Sequence, residues 1–147
     1  MSIRNKRIAR ERERLKEAYV LGPESSTSNE LMVICVPELG VDLRFKQSYP
    51  FTFPEVIVNG KPAKTKFLRQ YKLLEPFLSA CGVSPLIPCV CCSPLECAWV
   101  PSYGIREVLD EYVTVSTRLN QLSGYAAIHD AMPFDNGVHG NILQFLL

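Results

Sequence analysis

Between Pro85 and Pro101 the chain places four prolines, and within the run "CVCCSPLEC" (residues 89–97) four of its six cysteines. Each proline lacks a backbone N–H and fixes φ, so it interrupts both the helical and the sheet ladder. Prolines at 85, 88, 94 and 101 therefore exclude a long helix or a central strand. The segment is predicted as a loop. It holds no lysine, arginine or histidine, so no local cation would favour a thiolate there.

A chain of 147 residues suits one domain, with 47% hydrophobic and 21% charged residues typical of a globular fold. The net charge of +1 gives no overall field toward nucleic acid or a membrane. Charge is uneven, however: residues 1–20 carry seven basic and three acidic side chains. The charged opening "MSIRNKRIARERERLKEAY" lacks the apolar stretch of a signal peptide. No apolar run approaches the ~18 residues of a membrane span. The expected setting is intracellular, cytoplasmic or nuclear, where cysteines stay reduced.

Along the chain, residues 1–20 read as a basic helix with a thin apolar line at Ile8, Leu15 and Tyr19. Pairs such as Arg10–Glu13, Glu11–Arg14 and Glu13–Lys16 would support its exposed side. Strands are expected over 31–60. "LMVICVP" and "VDLRFKQ" form an antiparallel pair, with Val41, Leu43 and Phe45 on one face, and "EVIV" ends at the turn signal Asn59-Gly60. Residues 63–82 show helical spacing at Phe67, Leu68, Tyr71, Leu74, Phe77, Leu78 and Cys81, with Pro76 expected to break or kink it. After the 85–101 loop, Ile105, Val108, Leu109, Tyr112, Val115 and Leu119 predict a helix over 104–122. Residues 123–147 read as a loop with a short apolar tail.

The order helix, strands, "YPFTFPEVIV", cysteine loop and "WVPSYGIREVLDEY" resembles the ubiquitin-conjugating enzymes. That family has a Tyr-Pro-Phe-x-x-Pro-x-Val signature, matched by Tyr49 to Val56, and a Trp-x-Pro element before its central helix, matched by Trp99-Val100-Pro101. Its active cysteine lies eight positions before that tryptophan, which here is Cys91, preceded by Val90. The resemblance occupies residues 41–58 and 90–113. It implies a single α+β domain of UBC-like fold: N-terminal helix, small antiparallel meander, cysteine loop and central C-terminal helix.

The resemblance further implies a thiol that takes ubiquitin or a similar modifier from an activating enzyme and passes it to a lysine. Cys91 would be the acceptor, with Cys92 the alternative. Arg7, Arg10 and Arg14 would meet the activating enzyme, although a solvated, salt-bridged helix face explains them equally well. The family's His-Pro-Asn element is missing, and a helix-like insertion stands in its place. Losing an asparagine that stabilises the developing oxyanion typically costs ~2.7–4 kcal/mol of barrier. The other expectation is therefore a catalytically inactive UBC-like docking or structural module in a larger assembly, a virus particle among them.

Zinc would need four deprotonated ligands, and Cys89, Cys91, Cys92 and Cys97 supply four sulfurs. The Cys-x-Cys-Cys spacing is cramped, so no metal and no other cofactor is expected. His129 and His139 read as ordinary loop residues. Nucleic acid is disfavoured, since acids interleave the basic helix and no aromatic platform accompanies it.

Overall fold

The computed structural model describes residues 2–22, 25–26, 32–82, 94–129 and 136–146. Helices α1 (Ile3–Leu15), α2 (Ala63–Ala80), α3 (Pro94–Cys97), α4 (Ile105–Ile128) and α5 (Asn136–Leu146) accompany strands β1 (Ser25–Ser26), β2 (Met32–Val36), β3 (Val41–Phe45), β4 (Glu55–Val58) and β5 (Lys61–Pro62). The five strands form one antiparallel meander in sequence order, so the class is α+β. Two compact units arise, Met1–Ala63 with Pro94–Glu111 and Lys64–Ser93 with Tyr112–Leu147.

In the first unit, register follows the hydrophobic alternation. Ile34 pairs with Leu43 and Val36 with Val41, so these four share a face, and all are buried. Cys35, Asp42 and Ile57 line up on the opposite face. Gly40, in the left-handed region at φ 65°, closes a single 3-10 turn (Pro37–Leu39) between β2 and β3. Asn59 and Gly60 both have positive φ, 51° and 77°, which suits a two-residue hairpin between β4 and β5. Pro62 is accommodated because β5 is the outermost strand of the sheet, where a missing donor breaks no ladder.

Helix α1 is shorter than its charge pattern suggests. Ser2 caps it through its side chain to the Asn5 N–H, and the chain turns off after Leu15. It buries Ile8, Glu11 and Leu15, a line at i, i+3 and i+7. Glu11 was expected on the exposed side against Arg14, but it points inward and pairs with Arg7. The Glu13–Lys16 pair does form, at 2.6 Å.

The second unit packs Leu74, Leu78 and Cys81 with Leu119, Leu122, Tyr125 and Leu143. Helix α2 continues through Pro76 rather than breaking at it. Pro76 is exposed, so the Lys72 carbonyl that loses its intrahelical bond lies on a side open to water. Residues 136–146 are helical where a loop was expected. Their packing explains it: Leu143 is fully buried and Ile142 lies against the same core, so tertiary burial outweighs Gly137 and Gly140. The described part of the proline-rich segment, from Pro94 on, begins with a short helix, α3.

Candidate functional site

The most heavily determined region of the first unit surrounds the turn at Tyr49–Pro50. The chain leaves β3, makes hydrogen-bonded turns (Tyr49 N–H to the Lys46 carbonyl, Phe51 N–H to that of Ser48), and enters β4. Tyr49 and Pro50 are buried while Phe51 stands 76% exposed. The Tyr49–Pro50 peptide bond is cis.

Trp99 reaches this turn from the far end of the cysteine loop. Its indole Nε1–H donates to the Pro50 carbonyl at 2.9 Å. Its ring meets Phe53 edge-on at 5.4 Å between centroids and lies near Tyr49 and Tyr103 at 6.4 and 5.9 Å. Tyr49 in turn packs edge-on against Phe45 at 4.9 Å. Edge-to-face aromatic pairs of this kind are worth about 0.5–1.5 kcal/mol each beyond their burial.

Beneath the aromatics lies a carboxylate. Glu11, 7% exposed, accepts from the Tyr49 hydroxyl at 2.7 Å, from the Ile105 backbone N–H at 2.8 Å and from Arg7 Nε at 2.5 Å. Arg7 also donates to the Tyr103 carbonyl at 2.8 Å. Glu107 reaches back to the Gly104 N–H at 2.8 Å, so two carboxylates satisfy the first donors of α4 and complement its dipole. A Cβ on Gly104 would sit 3.0 Å from a Glu107 oxygen and 3.5 Å from one of Glu11, so a larger residue there would crowd the Glu107 carboxylate. Burial, then the bond to Glu11, pushes the Tyr49 phenol well above the ordinary tyrosine range. Tyr49 is held as a neutral donor.

This network orients the chain: the Tyr49 hydroxyl, both Glu11 oxygens and the Ile105 N–H are all engaged within it. It fixes the segment that carries Trp99 and the start of α4 to the Tyr49–Pro50 turn. The sequence residues 45–53 and 99–109 thereby become neighbours.

The expected site residues fall as follows. Cys89, Cys91 and Cys92 lie outside the described residues. Cys97, exposed at the end of α3, is disulfide-bonded. Cys35 and Cys81 are free thiols, so the bond of Cys97 involves neither. This departs from the expectation of reduced cysteines, and a sulfur so bonded is no thiolate ligand for zinc. Among the described residues no group of three metal-ligating side chains occurs.

The two free thiols are poor nucleophiles. A hydrogen bond to Asp42, then burial, raises the Cys35 pKa, and burial alone raises that of Cys81. Of the three arginines, Arg7 is turned into the fold, whereas Arg10 and Arg14 are exposed on α1.

Sequence reasoning did not foresee the role of Glu11. The signal was a gap in the apolar line between Ile8 and Leu15, filled by an acid. It also missed a second cluster: the Tyr125 hydroxyl lies 2.6 Å from Nδ1 of buried His139, whose ring lies against that of His129, tilted, at 4.3 Å between centroids. Nothing in the spacing of those residues announces it.

Compared with protein-family models, curated proteins and solved structures, the chain matches none. The fold defines an α+β protein built on an antiparallel meander. No helix among the described residues is long and apolar enough to cross a membrane.

Proposed function

We propose that the chain is a ubiquitin-conjugating-like protein that carries ubiquitin or a similar modifier as a thioester on Cys91, with Cys92 as the alternative acceptor. One observation supports this reading above the others: the Trp99–Pro50 hydrogen bond joins the two sequence blocks that resemble the family. The spacing from Cys91 to Trp99 then counts from a residue whose position the fold fixes.

In the proposed reaction the Cys91 thiolate attacks the thioester carbonyl of the charged activating enzyme. A new S–C bond forms, the activating enzyme's thiolate leaves, and a lysine amine later displaces Cys91 in the same way. In this reading Arg10 and Arg14, exposed on α1, would meet the activating enzyme. An intracellular setting, cytoplasmic or nuclear, goes with this reading.

A second reading is a catalytically inactive UBC-like module that docks in a larger assembly, such as a virus particle. Two observations favour it: β5 and α2 follow β4 where the family has His-Pro-Asn, and Cys97 is oxidised. The test uses the chain reduced and then freed of reductant. With activating enzyme, modifier and ATP, it should gain one modifier in a thiol-cleavable adduct. That adduct should be lost in Cys91→Ala and kept in Cys92→Ala. Absence of any adduct with the source's own modifier pathways selects the docking module.

A further inference from the structure

We infer that the outer face of α2 docks an acidic amphipathic helix of a partner protein. Helix α2 turns Leu74 and Leu78 into the second unit's core, with Phe67 and Tyr71 beside them. The opposite side carries Thr65, Lys66, Arg69, Lys72 and Leu73, all exposed. Lys66, Arg69 and Lys72 form no ion pair among the described residues. The only acid on the helix is Glu75.

The shape of the face names the class of ligand. Thr65, Arg69 and Leu73 stand four apart and make one ridge; Leu68 and Lys72 make the next. These five residues line a shallow open groove. A groove between two such ridges accepts a ridge of another helix. Leu73 is 76% exposed beside Lys72, so the groove offers an apolar anchor point set among cations.

That combination separates the occupants. A second copy of this chain would bring the same cations face to face and be repelled. A phosphate backbone would satisfy the charges but leave Leu68 and Leu73 without apolar cover, and no aromatic ring on this face could stack a base. A helix with leucines on one stripe and glutamates along its edges satisfies both features. This inference does not depend on the Cys91 reading.

The test is an NMR titration of the isotope-labelled full chain with a synthetic helical peptide carrying a leucine stripe flanked by glutamates. Parallel samples receive the same peptide with lysine for glutamate, the same peptide with serine for leucine, a short DNA duplex, and phosphatidylserine vesicles. Amide shifts should concentrate in residues 65–73 with the acidic leucine peptide. Leu73→Ser should weaken binding about tenfold, as expected for one leucine losing its burial. The combined Lys66→Glu, Arg69→Glu and Lys72→Glu variant should lose the acidic peptide and gain the lysine peptide. Both variants alter exposed positions, and the spread of their amide signals verifies folding. No shifts with the acidic peptide, shifts centred elsewhere, indifference to Leu73→Ser, or equal or tighter binding of DNA or vesicles to this face would each overturn the inference.

Discussion

Trp99 donates its indole N–H to the carbonyl of Pro50 at 2.9 Å, joining two segments 49 residues apart in sequence. The bond fastens the end of the cysteine-rich segment to the turn between β3 and β4. Because Trp99 is the chain's only tryptophan, its emission reports unfolding at this junction.

Trp99→Phe keeps a ring against Phe53 and Tyr49 but leaves the Pro50 carbonyl without its donor. Together with the smaller ring, the loss should cost about 2–3 kcal/mol. Chemical denaturation followed by circular dichroism measures it, and a cost near zero would show that the bond does not hold the junction.

Glu11 is the next point of failure. Glu11→Ala removes the acceptor of Tyr49, Arg7 and Ile105 at once, leaving buried donors unpaired. About 3 kcal/mol of destabilisation is expected. Glu11→Gln, which keeps one acceptor oxygen, should cost less.

Alkaline pH offers an independent check through Tyr49. Its folded-state pKa is raised above the ordinary value near 10. The folded protein therefore keeps the phenol protonated where the unfolded chain ionises. That contribution is complete below about pH 10 and is lost as pH rises further, by up to about 1.36 kcal/mol per pH unit. Cys35, Cys81, Tyr71 and Tyr112 are shifted the same way, so wild type must be compared with Tyr49→Phe. The variant should be less stable at neutral pH, by about 1.5–3 kcal/mol for a hydrogen bond to a charged group. Its stability should fall less steeply above pH 10, as read from Trp99 emission in denaturant.

Pro76 lies inside α2 and is exposed, so Pro76→Ala restores one intrahelical hydrogen bond without disturbing the core. Stabilisation of about 1–3 kcal/mol is expected, read as a higher denaturation midpoint.

Much of the fold was legible in the residues. The alternation of Val41, Leu43 and Phe45 announced β3, the Asn59-Gly60 pair announced the turn after β4, and the three-and-four spacing from Phe67 to Leu78 announced α2. Each of these is a local period or a local turn rule. What could not be read depends on distant partners. Glu11 is buried because Tyr49, Arg7 and Ile105 converge on it, and α5 is helical because Leu143 finds a core. The continuation of α2 through Pro76 shows packing on one face outweighing a local breaker on the other. For the candidate site, the sequence named Trp99 and the Tyr49-to-Val56 signature separately. Their union through the Pro50 carbonyl required the fold.

The central claim is that Cys91 accepts the modifier, and the most direct measurement is trapping at that position. Cys91→Ser, charged with activating enzyme, modifier and ATP, exchanges a thiol-labile thioester for a thiol-resistant ester. Peptide mapping by mass spectrometry should find the modifier's C-terminus linked to residue 91 in that variant. The wild-type adduct should disappear on reduction. An ester at residue 91 is the predicted result; no ester in Cys91→Ser, or a modifier found linked only to other residues, would contradict the account.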